Sequence, residues 1–296
     1  MKTSTFRLAL TGLATGLALA AATVSVQAAE GGVKPPAQHW SFSGPFGTFD
    51  RAQLQRGFKV VKEVCANCHA MNLGNAVRMR NLAQPGGPEF TPGQVMALAA
   101  TYQVTDGPND QGEMFQRPGR PADPFPAPFP NEQAARAANG GAFPPDLSVL
   151  AKARTYERGF PTFIFDIFTQ YQEQGPDYIT AVLTGYAKPP EGFPPLLPGQ
   201  NYNNYMPGHL IAMPQPLQDG QIEYPKGADG KPQVPETVHQ YAEDVSAFLV
   251  WMAEPHLEAR KRLGFQVMIF LAIFAGLLYY TKKKVWARMP DGSPAH

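Results

Sequence analysis

Residues 56–71 read RGFKVVKEVCANCHAM. Working back from this stretch, Leu54, Phe58, Val61 and Val64 recur at spacings of four and three, which predicts a helix starting near Asp50 with one apolar stripe. That helix runs straight into Cys65-Ala66-Asn67-Cys68-His69, and these are the only two cysteines in the 296 residues. Two thiols three positions apart on one turn, followed at once by an imidazole, form the C-x-x-C-H pattern for covalent attachment of a c-type haem. The thiols form thioethers with the two vinyl groups, and His69 is placed to ligate the iron.

Competing readings of the two cysteines fail on simple grounds. A structural zinc site needs four ligands, commonly two cysteine pairs. A thioredoxin-type pair expects a βαβ context, which this helix-and-loop sequence lacks. A disulfide between residues this close would constrain too short a loop to stabilise much. With His69 as one ligand, the opposite side of the iron is open to a histidine or a methionine. A residue arriving there should come from a loop distant in sequence. Met206, in NYMPGH, and Met213, in IAMPQP, both fit, each followed by a stiffening proline, and spacing alone leaves them equal.

The ends of the chain place this unit at a membrane. Residues 1–28 carry Lys2 and Arg7, an apolar run and small residues at Val26-Gln27-Ala28, the pattern of a cleaved export signal. Residues 264–280, GFQVMIFLAIFAGLLYY, contain no charge and lie between Arg260-Lys261-Arg262 and Lys282-Lys283-Lys284. Such a run reads as one transmembrane helix, the alternative being a core helix, which does not usually carry cations at both ends. The flanking cations are too evenly matched to orient the span, so the export signal decides: the large domain lies outside and the tail inside.

Between these ends, residues 30–258 hold 16 Lys and Arg against 23 Asp and Glu, a net of −7. An acidic domain argues against nucleic acid and for a basic partner. The 31 prolines are about twice the usual share, so much of the domain should be loop. Predicted helices follow Thr91-Pro92, span 131–138, start after an Asp146 cap, run from 176 to 186, and begin again at Pro235-Glu236-Thr237. This last helix should present Val238, Tyr241, Val245, Phe248, Leu249 and Met252 on one face and kink at Pro255. Gly57 should let it cross the first helix closely, through Phe248 or Trp251. Residues 103–130 and 187–216 read as loop, and 219–234 as a possible small hairpin.

From residue 50 to 290 the chain resembles the cytochrome c1 family, the membrane-anchored haem subunits of the cytochrome bc1 complex (ubiquinol:cytochrome c oxidoreductase). The landmarks are RGFKVVKEVCANCHAM, DGPNDQGEMFQRPGRPADPFPAPFP, GGAFPPDLSVLAKAR, YITAVLTGY, YMPGHLIAMPQPL and DVSAFLVWMAEPHLEARKRLGF. The resemblance implies a mainly α, loop-rich, class I cytochrome c-like haem domain over 29–258, and an anchor with its tail over 259–296. It implies one haem c bound through Cys65 and Cys68, with His69 and Met213 as the iron ligands. Pro145, within PPDL, would line the haem pocket, and Arg154 would approach a propionate, where a desolvated carboxylate calls for a charge-assisted donor. The implied function is electron transfer from the Rieske iron-sulfur protein to a cytochrome c, within a dimeric complex with cytochrome b and with no quinone site or catalytic residue of this chain's own. The implied location is a bacterial inner membrane, with the haem domain in the periplasm. Residues 72–82 lack the tyrosines often found there, and 155–176 resembles an insertion of the bacterial kind with an open role. Two rivals are a haem subunit of another membrane dehydrogenase or oxidase, and a haem sensor with an open iron position.

Overall fold

Asp50 opens the first helix. Its carboxylate accepts from the Ala52 and Gln53 amides at 2.9 and 3.2 Å, satisfying two of the donors that a helix start leaves without partners. The computed structural model describes residues 33–73, 77–154 and 174–287; the export signal, most of the 155–176 insertion and the last nine residues lie outside them. The described residues form α1 (Arg51–Glu63), α2 (Pro92–Ala100), β1 (Gln103–Asp106), β2 (Phe115–Pro118), α3 (Glu132–Ala138), α4 (Leu150–Ala153), α5 (Gln174–Thr184), β3 (Asn201–Tyr202), β4 (Leu210–Ile211), α6 (Val238–Ala253) and α7 (Leu257–Val285). The domain is mainly helical and rich in loop, as the sequence predicts.

The core is built where α1 crosses α6. Leu54, Phe58 and Val61 of the predicted stripe are buried against Tyr241, Val245, Phe248 and Met252 of α6. Gly57 makes the crossing possible. A Cβ there would stand 2.1 Å from the Asp244 carbonyl oxygen and 2.7 Å from the Phe248 Cβ, so any side chain would push the helices apart. The predicted partner Phe248 is at the crossing, whereas Trp251 packs elsewhere, over Gly87. Beside the crossing, the Arg56 guanidinium donates to both oxygens of Asp244 at 2.8 and 3.0 Å. Because Asp244 is fully buried, this pair fixes the register of two helices more than it adds net stability. Thr180 of α5 donates to Ser246 of α6 at 2.9 Å, docking a third helix on the same face.

The lead-in before α1 carries more of the core than its lack of periodicity suggests. Trp40, Phe42 and Phe49 are buried, with ring centroids 5.4 and 5.1 Å apart along the series. The Trp40 indole donates to Asp177 at 2.8 Å, as a buried indole N–H requires.

Four expectations need correction. Residues 187–216 are not all loop, since β3 and β4 pair antiparallel within them, a short ladder between proline-rich stretches. Residues 103–130 are not all loop, since β1 and β2 pair antiparallel from Gln103↔Pro118 to Asp106↔Phe115. Arg117 holds this hairpin, pairing with Asp106 and with Asp123, an ionic clasp that strand propensity does not show. The hairpin expected over 219–234 is only the Lys226↔Pro232 bridge, because Pro225, Pro232 and Pro235 each lack a ladder donor. Asp146 does not cap a helix: α4 starts after Val149, without a side-chain cap.

At Pro255 the expected kink is a full break. α6 ends at Ala253, and α7 begins at Leu257 after His256. α7 is 29 residues long with an apolar window of mean hydropathy 2.0, none of it buried against the rest of the protein. That removes the core-helix alternative, and one apolar helix fits a single membrane span. Its first turns are nevertheless part of the domain. Leu257 is fully buried, and Glu258 accepts from both Arg51 terminal nitrogens, at 2.7 and 2.8 Å, and from the Phe49 amide.

Candidate functional site

α1 ends at Glu63 with Val64 as its C-cap, and the chain tightens into a 3-10 turn over Cys65–Asn67. The Cys68 and His69 amides both donate to the Cys65 carbonyl, at 3.1 and 2.9 Å. This single turn puts the two thiols and the imidazole together. Asn67 ties it back to the helix by donating to the Glu63 carbonyl at 3.0 Å. Cys65 is half-buried, and Cys68 is exposed.

The next residues are zipped to a second segment far along the chain. The Leu147 amide donates to Ala70 O at 2.8 Å, and Asp146 accepts from the Asn72 amide at 3.0 Å and from the Ser148 amide at 2.8 Å. Ser148 Oγ accepts from the Leu73 amide at 3.2 Å. Asp146 is therefore committed to joining the two strands of chain, which is why it cannot serve as a helix cap. The zipper brings the Pro145 carbonyl 2.8 Å from His69 Nδ1. A carbonyl only accepts, so Nδ1 carries the proton. Burial holds the His69 pKa below the usual histidine range, against smaller opposing effects of Pro145 and Asp146, so near neutral pH the ring is neutral. Its remaining lone pair is on Nε2. A neutral imidazole whose other nitrogen is fixed by a backbone carbonyl is the form that metal-ligating histidines adopt.

Cys65 does not suit thiolate chemistry. Burial pushes the Cys65 thiol up to about 12, whereas a redox or zinc-binding pair needs a lowered thiol pKa. Among the described residues there is also no cluster of three His, Cys, Asp or Glu side chains that could hold a metal ion. Two cysteines on one turn, beside a neutral imidazole with one free nitrogen, fit a haem attached through thioethers.

Met213 and Met206 occupy different structural positions. β3 and β4 pair through Asn201↔Ile211 and Tyr202↔Leu210, with Met206 in the connection between them and Met213 two residues beyond β4. Met206 is held by the fully buried Asn203, whose side-chain oxygen accepts from the Tyr205 and Met206 amides at 3.0 and 3.2 Å. Its sulfur accepts from the Tyr178 hydroxyl at 3.6 Å. Met213 is held by its backbone instead. Its carbonyl accepts from the Tyr186 hydroxyl at 3.0 Å and from the Asn201 side-chain nitrogen at 3.3 Å. Burial raises the Tyr186 pKa, so that hydroxyl remains a donor.

Arg154 caps the C-terminal end of α4 and is exposed. Its charge acts on Tyr178, opposing the stronger effect of burial, which raises that phenol. The structure thus brings together Cys65, Cys68, His69 and Pro145, and it groups Arg154 with Tyr178. Among the described residues, neither Met213 nor Arg154 hydrogen-bonds to the cysteine-histidine turn. Sequence reasoning missed Tyr186 and Asn201 as holders of the Met213 loop, and Tyr178 as the partner of Met206. Tyr178 and Tyr186 lie within the landmark YITAVLTGY, but nothing in that string shows where their hydroxyls reach.

Comparison with known proteins places the chain in a family. The profile of the Cytochrome C1 family matches residues 40–289. A cytochrome b/c1 of Bradyrhizobium diazoefficiens is 63% identical over 262 residues, which are 88% of this chain and 37% of that protein; the chain therefore spans little more than a third of that relative's length. Cytochrome c1 of Blastochloris viridis is 49% identical over 282 residues, covering 95% of this chain and 96% of the relative. A mitochondrial cytochrome c1 haem protein of Saccharomyces cerevisiae is 42% identical over 263 residues, 89% of this chain and 75% of the relative. With a profile match across most of the described domain and a relative of matching length, the chain belongs to the cytochrome c1 family.

Proposed function

We propose that this chain is the c-type haem subunit of a respiratory bc1 complex, carrying electrons from a Rieske iron-sulfur protein to a cytochrome c. The observation that carries the reading is the His69–Pro145 hydrogen bond, which leaves a half-buried, neutral imidazole with its Nε2 free beside two thiols on one turn. When bound, the haem supplies the one-electron couple. Cys65 and Cys68 hold it covalently, and His69 is oriented as an iron ligand by the Pro145 carbonyl. Met213 would be the second protein ligand to the iron, with its loop held by Tyr186 and Asn201. Arg154, exposed at the end of α4, is the charge offered to a propionate.

This chain contributes no quinone site and takes part in the oxidoreductase only as its electron-carrying subunit. Cytochrome b and the Rieske protein are its partners in a dimeric complex, and the name of the Bradyrhizobium relative, which pairs b with c1, supports the first of these. α7 is the anchor in a bacterial inner membrane, and the domain faces the periplasm. The net charge of −7 over residues 30–258 favours a basic cytochrome c as acceptor.

Stopped-flow oxidation of the quinol-reduced complex by a basic cytochrome c tests the reading. At low acceptor concentration the second-order rate should fall steeply as salt rises, because screening shortens the reach of charge to about 8 Å at physiological ionic strength. A salt-independent rate under association-limited conditions would contradict the proposed acceptor, and no reduction of this chain's haem by quinol would contradict the proposed function.

A further inference from the structure

Residues 41–48, SFSGPFGT, form a tight loop strapped to the start of the anchor helix. The Ser43 amide donates to Trp40 O and the Thr48 amide to Ser41 O, each at 3.1 Å, which closes the neck. Gly47 is required there, since a Cβ would stand 2.0 Å from the Ser43 carbonyl oxygen. Lys261 reaches up from α7 and donates its Nζ to the carbonyls of Phe42 and Gly47, on the two sides of that neck. The loop's position is therefore set by the anchor helix.

At the tip, Phe46 is 71% exposed, while the neighbouring Trp40, Phe42 and Phe49 are all buried. The Phe46 ring meets Phe265 edge-on, with centroids 5.3 Å apart and planes at 76°. Phe265 is the second residue of the uncharged run 264–280, and with a rise of about 1.5 Å per residue it lies close to that run's boundary. Arg260 and Arg262, just before the run, are exposed. Cations beside aromatic rings at the edge of an apolar segment suit the headgroup level of a bilayer.

We propose that the Ser43–Gly47 loop is a second membrane contact, with Phe46 inserted beside Phe265 among the phospholipids of the leaflet facing the haem domain. A single helix leaves the domain free to tilt about its attachment. A helix and a strapped loop at the same level fix both tilt and height. The partner is lipid because the exposed Phe46 ring packs on Phe265, in the first turn of the apolar run. The inference rests on α7 being a membrane span, and the test separates the two.

The full-length haem-loaded protein, its two native cysteines occupied by the haem, receives one nitroxide label at a time through Phe46→Cys, Ile273→Cys or Leu197→Cys. Each variant is reconstituted in phosphatidylcholine–phosphatidylglycerol vesicles, and label collisions with oxygen and with a water-soluble nickel chelate are compared by power saturation. Leu197 is 64% exposed on the domain and serves as the water reference, and Ile273 reports the span. The expected result is an oxygen-to-nickel ratio at position 46 severalfold above that at 197 and below that at 273. Should the Phe46→Cys chain fail to load haem, Pro45→Cys, also exposed, gives the same reading one residue away.

A label at 46 matching 197 while 273 lies in lipid overturns the loop contact alone. Water access at both 46 and 273 overturns the span and the loop contact together. Spin–spin broadening at 46 that disappears on dilution with unlabelled chain would assign the surface to a second copy. Shielding that appears only in the assembled complex would assign it to another subunit. Each of these last two results also overturns the lipid contact.

Discussion

Met213 and Met206 are seven residues apart and differ in what holds them. The Met206 sulfur already accepts the Tyr178 hydroxyl, whereas the structure fixes Met213 through its backbone carbonyl. A thioether ligand favours ferrous over ferric iron and so raises the reduction potential. Met213→Leu should therefore lower the potential sharply and open the reduced iron to carbon monoxide, with the haem still attached. Met213→Lys should keep the iron six-coordinate through the amine while losing the methionine spectral signature. Met206→Leu should leave the potential nearly unchanged. Spectroelectrochemical titration of the three variants checks this, and a large shift for Met206→Leu without one for Met213→Leu would reverse the assignment. At this scale the motif was legible, because Cys65, Cys68 and His69 sit on one turn. Pro145 was named only through the resemblance, since a carbonyl 76 residues away leaves no trace in local spacing.

Among the elements, helices were easier to read than strands. The α1 and α6 stripes repeat at helical spacing, and Asp50, Thr91 and Thr237 cap the helices expected to start near them. The β1–β2 hairpin escaped notice because its four-residue strands alternate weakly and are held by Arg117. The hydrogen bond from Arg117 holds the Asp123 carboxyl well below its usual range, at about 2. A free aspartate titrates near about 3.9. Because the folded value is the lower one, the stabilisation is complete above the unfolded value and is lost as pH falls through the folded one. Hydrogen-exchange protection of the 103–118 amides should accordingly drop between about pH 4 and pH 2. Asp123→Asn should show weaker protection at neutral pH and a smaller further loss on acidification, the remainder coming from the Asp106–Arg117 pair. Equal acid sensitivity in the variant would place the responsible group elsewhere.

Across the whole molecule, the boundary between domain and anchor lies further along than charge clusters suggest. The cationic cluster at 260–262 invites a cut before Arg260, but Lys261 reaches back to Phe42 and Gly47, and Arg260 pairs with Glu254. We expect a chain ending after Arg262 to yield a soluble haem domain as stable as the full protein's. A chain ending at Ala259 should unfold more easily, by about 1–3 kcal/mol for the lost charge-assisted bonds, as denaturant melts of the two would show. Equal stability would mean that these contacts contribute nothing. A 17-residue run with flanking cations shows that a span exists. It could not show that the first two turns of the same helix belong to the domain, because that depends on contacts with residues more than 200 positions away.

Covalent attachment through the cysteine turn is the point on which the rest depends, and the intact mass of the denatured full-length protein tests it most directly. The expected result is a polypeptide heavier by one haem after organic extraction, with no titratable thiol, and a loss of retained haem when Cys65 and Cys68 are both replaced by alanine. A bare polypeptide mass with two reactive thiols would contradict it.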